Sequence, residues 1–153
     1  MKKSGFTLVE MLVTIAIMAI VLFIGVPSFN SIIRSSDMSA NSSDLISALN
    51  YARMEAVKRG DSIKLELQIA DDWLSEMVVS VDDSAEELRI WGEFNSESTL
   101  VSKNDLTSFV FNASGEVDNG DELTLCYDSS GETGRIIHIL ASGAAFAEKK
   151  TCE

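Results

Sequence analysis

Three rhythms of hydrophobic and polar positions follow one another along the chain. From Phe6 to Val26 the side chains are nearly all apolar, and Glu10 is the only charged one. About 21 residues at ~1.5 Å rise give roughly 30 Å, one bilayer core, so this run predicts a membrane-spanning helix. Pro27 removes one backbone N–H from the ladder and predicts a kink near Gly25, after which the helix resumes. Between Asp37 and Arg59 the period is helical: Leu45, Leu49, Ala52 and Ala56 share a face suited to packing on a sheet. Opposite them Asp44, Arg53, Glu55 and Lys58 read as a solvated side, and Gly60 as the stop.

After Gly60 the period falls to two. Ile63, Leu65, Leu67 and Ile69 alternate with Lys64, Glu66 and Gln68, which predicts a half-buried strand. Met77, Val79 and Val81 predict a second, ending at Asp82-Asp83-Ser84, and Leu88 to Trp91 a short third. Phe109 and Phe111 lead into the turn Asn112-Ala113-Ser114-Gly115; Leu123, Leu125 and Tyr127 form another strand, Ile136 to Leu140 the next, and Ala144 to Ala147 a short last one. Strands separated this closely by turn residues imply a mostly antiparallel arrangement. The predicted class is α+β: a long N-terminal helix, membrane half plus amphipathic half, packed on an antiparallel β-sheet or small β-sandwich.

Charge sharpens this picture at both ends. Lys2 and Lys3 precede the apolar run, and positive residues beside a first span hold that end in the cytoplasm, leaving the rest of the chain outside. The formal net charge is -12. Such an excess argues against a broad basic surface for nucleic acid, because phosphate binding needs clustered Lys and Arg. An ordinary secretory signal also starts with a basic segment and an apolar one, but it has an uninterrupted apolar core and a small-x-small cleavage site. Here Glu10 stands at the start of the run, and no Ala-x-Ala site precedes Pro27-Ser28-Phe29-Asn30. A carboxylate at such a position is costly in lipid and calls for a partner, which the neighbouring sequence does not supply.

The residues Gly5-Phe6-Thr7-Leu8-Val9-Glu10 resemble the class III signal of type IV pilins and type II secretion pseudopilins. The resemblance implies cleavage by a prepilin peptidase between Gly5 and Phe6, N-methylation of Phe6, and a role for Glu10 in neutralising the N-terminal amine of a neighbouring subunit during filament assembly. The segments implied are a leader over 1–5, a transmembrane and filament-core helix over 6–27, an amphipathic helix over 28–60 and a periplasmic β domain over 61–153. Tyr51 to Arg59, Trp73 before Val78-Val79, Phe111 to Gly115, Leu123 to Cys126 and Gly134-Arg135 before Ile136-Ile137 resemble the GspH/FimT branch of minor pilins and pseudopilins.

Cys126 and Cys152 are the only cysteines and follow no CxxC or zinc pattern. In a periplasmic domain they are expected to form a disulfide, whose closed loop stabilises by roughly 3 kcal/mol in the chain-entropy model. Other candidates for chemistry are bland. His138, the only histidine, reads as a packed or edge strand residue. Asp82-Asp83 with Glu86-Glu87, and Asp118-Asn119-Gly120-Asp121-Glu122, offer oxygen ligands for calcium but lack EF-hand spacing and read as acidic turns. Trp73, Trp91 and the phenylalanines read as core.

The expected protein is therefore a structural and assembly subunit at or near a filament tip, with no catalytic residue, cofactor or metal. Its implied partners are the prepilin peptidase, other minor and major pilins or pseudopilins, and the inner membrane, which it crosses once with its C-terminal domain in the periplasm. The alternative is a DNA-binding minor pilin for natural transformation. DNA-binding members of the branch carry Gly-Arg-x-Arg near the C terminus, whereas this chain reads Ser142-Gly143-Ala144-Ala145-Phe146, with Lys149 and Lys150 following and Arg135 upstream.

Overall fold

In the computed structural model, the described residues are 6–152 apart from 70–72, 74, 85, 93, 95–97 and 128–132, with the side chains of 25–28 and 31 also left aside. One helix, α1, runs from Leu8 to Arg59. Its helical backbone continues through Pro27, where an interruption was expected. A proline deletes one intrahelical bond, and the turns on either side suffice to carry the helix on. The chain divides into two compact units, 1–34 and 35–153.

In the first unit the described apolar side chains lie bare: Leu8, Leu12, Ile15, Ile20, Leu22 and Phe23 are all exposed, Phe23 to 86%. Bare apolar surface of this extent marks a segment meant for lipid or for another protein. Among the described residues no helix is long and apolar enough to cross a membrane.

The second unit is built on the C-terminal part of α1. Leu45, Ala48, Leu49, Ala52 and Ala56 are completely or almost completely buried, and the run of alanines allows a close approach of the sheet backbone. Gly60 ends the helix with φ +69°, and its N–H and that of Asp61 both donate to the Ala56 carbonyl. That left-handed conformation costs glycine little and explains the stop.

Eight strands follow: β1 Ile63–Leu67, β2 Met77–Val81, β3 Glu87–Trp91, β4 Ser98–Ser102, β5 Ser108–Phe111, β6 Asp121–Tyr127, β7 Thr133–Ile139 and β8 Ala145–Thr151. They form two four-stranded sheets, ordered β3-β2-β1-β5 and β4-β6-β7-β8, with every neighbouring pair antiparallel. The core combines the buried face of α1 with Ile63, Leu65, Met77, Val79, Phe109 and Phe111 from the first sheet and Leu123, Leu125, Ile137 and Ile139 from the second. Trp73 completes it, its indole N–H donating to the Leu106 carbonyl at 3.0 Å and its ring lying against Phe109. Satisfying that N–H is what allows so large a side chain to be buried.

Several sequence expectations need correction. β1 stops at Leu67; Ile69 is 61% exposed, because the chain there leaves the sheet. β2 is buried along its whole length, Val78 and Ser80 included, so period two is a feature of its neighbours rather than of itself. β4 was not anticipated, and the final strand is longer than the short one expected from Ala144 to Ala147. Leu140 lies beyond β7 and is exposed.

Candidate functional site

Phe6 is 77% exposed at the foot of α1, and Gly5, the other side of the expected cut, lies outside the described residues. Glu10 does have a neighbour. The backbone N–H and the hydroxyl of Thr7 both donate to Glu10 Oε2 at 3.0 Å, and the N–H of Glu10 donates back to Thr7 Oγ1 at 3.3 Å. This reciprocal arrangement is a capping box, with Thr7 at the N-cap and Glu10 three residues on. The Thr-x-x-Glu spacing was the signal for it in the sequence. Among the described residues no positively charged group meets Glu10, whose carboxylate is hydrogen-bonded by Thr7; Lys2 and Lys3 lie outside the described residues.

Two members of the expected solvated face of the helix do something else. Glu55 is buried, and it accepts from Lys58 Nζ and Arg59 Nε at 2.9 Å each, while Arg59 also reaches Glu86 at 3.4 Å. These donors hold the Glu55 carboxyl below its ordinary range and raise the Arg59 guanidinium. Arg53 donates to the Gly115 carbonyl at 3.1 Å and so ties the helix to the turn after β5. Tyr51 leans edge-on against Trp91, with Arg89 over both rings.

Nearer the start of this unit, polar contacts join α1 to the second sheet. Arg135 donates to Ser39 Oγ at 2.6 Å, Asn41 to Ser98 Oγ at 3.4 Å and the Tyr127 hydroxyl to Asp37 at 3.4 Å. Cys126 and Cys152 form a disulfide, with Cα atoms 5.9 Å apart. It does not join adjacent strands. Cys126 lies in β6 and Cys152 just past β8, so the bridge passes over β7 at Gly134. A Cβ there would clash with Cys152 Sγ and lie 2.9 Å from Cys126 Sγ and 2.6 Å from the Leu125 carbonyl. Only glycine leaves room for the crossing.

On the outer face of the same sheet His138 stacks on Phe146 with centroids 5.0 Å apart, between Glu122 and Glu148. Lys103 meets Glu122 at 2.9 Å, raising its own pKa and lowering that of the carboxyl. Asp121 is buried, accepting from Ser102 and Asn104. Among the described residues no three His, Cys, Asp or Glu side chains are placed to hold a metal ion. Lys149 stands opposite Arg135, and Lys150 opposite Gly134, across the β7–β8 ladder.

The first unit offers a bare apolar helix bearing one carboxylate, and the second a disulfide-stapled β domain. Comparison with known proteins agrees. The prokaryotic N-terminal methylation motif matches residues 1–26, and the family model for type II transport protein GspH matches residues 41–143. No curated protein sequence matches the chain. Among solved structures, the type IV minor pilin FimU of Pseudomonas aeruginosa superposes in two crystal forms. One has a TM-score of 0.67 at 23% identity, covering 75% of this chain and 99% of FimU. The other has 0.70 at 21%, covering 78% and 98%. The minor pseudopilin EpsH of the Vibrio cholerae type 2 secretion system superposes with a TM-score of 0.57 at 11% identity, covering 73% of this chain and 96% of EpsH. At these identities the structural likeness speaks for the fold, and the family match speaks for the lineage: the chain belongs to the GspH family of minor pilins and pseudopilins, which are structural subunits and not enzymes.

Proposed function

We propose that this chain is an assembly subunit of a type IV pilus or a type II secretion pseudopilus, stored in the inner membrane and incorporated at or near the filament tip with other minor subunits. A prepilin peptidase cuts between Gly5 and Phe6 and methylates Phe6. Residues 6–27 then serve first as a single membrane anchor and later as filament core, with the domain from Ser35 onward in the periplasm.

The observation that carries this reading is the state of Glu10 in a bare apolar helix: hydrogen-bonded by Thr7 and, among the described residues, facing no cation. Its own cap makes the carboxylate tolerable while the subunit waits in lipid, but full neutralisation needs a positive charge from outside. The amine of a neighbour's Phe6 supplies one. Because an unpaired charge away from water is strongly disfavoured, only the register that brings amine and carboxylate together is stable, and the pair sets the docking position. DNA binding is not part of this reading, since Ala144 and Phe146 stand in place of the arginines and Phe146 is engaged with His138.

Glu10→Ala tests the pairing. The variant should be cleaved, inserted and folded like the wild type, yet its share of the sheared filament fraction should fall by about tenfold or more, the effect of losing one charge-assisted contact. Incorporation equal to wild type would rule the pairing out.

A further inference from the structure

We propose that the platform formed by Tyr51, Arg89 and Trp91 is a second docking surface, which receives a carboxylate side chain from a different subunit of the same filament. The proposal rests on the filament-subunit reading and adds a contact on the globular unit to the one at Glu10.

Arg89 and Trp91 lie on β3, the edge strand of the first sheet, opposite Val79 and Met77 of β2 and therefore on the face that carries the core. At this edge the core gives way to the flank of α1. Tyr51 meets Trp91 there in a T-shaped contact with centroids 5.3 Å apart. The Arg89 guanidinium lies over both rings, 4.4 Å from the Trp91 centroid and 5.5 Å from that of Tyr51. Stacking uses the face of a guanidinium and leaves its N–H donors around the rim. Among the described residues no carboxylate or other acceptor meets them, although acidic residues outnumber basic ones 24 to 12 in the chain. Arg59, by contrast, is shared between Glu55 and Glu86.

A stacked, pre-oriented guanidinium whose N–H donors meet no acceptor among the described residues matches the two oxygens of a carboxylate. Met54, three residues along α1 from Tyr51 and 62% exposed, adds a flexible apolar neighbour. Tyr, Trp, Arg and Met are the side chains enriched where protein interfaces are fully buried. One cation flanked by Glu87 suits a single carboxylate better than the repeated charges of a phosphate backbone. The net charge of -12 opposes approach of a second copy, so the partner is a different subunit.

The test uses the full chain in cells that contain its peptidase and the other filament subunits, with Met54 replaced by photoreactive benzoylphenylalanine. Irradiation should yield a cross-link to another subunit bearing the N-terminal methylation motif, at a segment containing Asp or Glu. Arg89→Glu should lower the yield about tenfold or more, and Arg89→Lys, which keeps the charge but not the fork, by about threefold. Melting temperature and disulfide formation establish that the variants fold, and if Arg89→Glu does not, the Arg89→Lys ratio decides. An unchanged yield with a folded variant, a cross-link to a second copy, an Arg89-dependent DNA shift, or no cross-link despite normal filament entry would each overturn the proposal. Wild-type chain absent from filaments altogether would instead overturn the filament reading, and this proposal with it.

Discussion

Glu55 and Gly134 each occupy a position that the surrounding chemistry makes hard to change, for two different reasons. For Glu55 the reason is charge. Lys58 and Arg59 hold its carboxyl below the ordinary value of 4.5, so the stability it contributes is present above about that pH and is lost as pH falls through the lower folded value. Glu55→Gln should therefore be less stable than wild type at pH 7, with the gap in melting temperature closing as pH falls below the ordinary value of 4.5. A constant gap across that range would show that the ion pairs contribute nothing. For Gly134 the reason is space: Gly134→Ala should block formation of the Cys126–Cys152 bridge, seen as two thiols that alkylate without reductant. Neither role was legible in the sequence. Helical spacing put Glu55 on the outward side, but the spacing says nothing of the two cations one turn on, whose donors make burial tolerable. Glu10 was marked by its isolation among apolar residues, whereas its bond to Thr7 needed the Thr-x-x-Glu spacing to be read as a cap.

At the scale of elements, patterns were readable wherever one side faces the core and the other does not. The helix face of Leu45, Leu49, Ala52 and Ala56 and the strands carrying Ile63, Leu65, Leu123 and Leu125 announce themselves in this way. β4 inverts the pattern: its inward positions are Ser98, Leu100 and Ser102, while Val101 is 59% exposed. Polar side chains inside are acceptable there because Ser98 receives a bond from Asn41, and Ser102 bonds Asp121 and the N–H of Leu106. β8 is an edge strand rich in lysine, alanine and glutamate, and its length is set by pairing with β7 rather than by its own pattern. The disulfide secures that strand. With the cysteines 26 positions apart in sequence, Cys126→Ser should cost roughly 3 kcal/mol and lower the melting temperature by about 10 °C. A shift under about 2 °C would mean that the β7–β8 ladder holds the C-terminal segment unaided.

For the whole molecule, the two units divide the work. The unit of residues 1–34 carries apolar surface that nothing in its own fold covers, and the unit of 35–153 carries a finished core. On the proposed function, the second unit is stable before assembly, and the helix of the first gains cover from lipid first and from neighbouring helices later. In the sequence the bare run from Phe6 and the alternating strands follow different periods, but the boundary between Arg34 and Ser35 falls inside one continuous helix and coincides with none of the expected segment bounds; the kind of filament was not legible either, because both kinds demand the same physics of a subunit. The claim that ties the halves together is that the chain is cut at Gly5 and carried into a filament by its new N terminus. Intact mass and peptide mass spectrometry of the chain recovered from sheared filaments tests this directly. The account predicts a polypeptide that starts at N-methylated Phe6 and ends with Cys126 and Cys152 linked; a chain that starts at Met1, or one cut beyond Val26 and found only as soluble periplasmic protein, would contradict it.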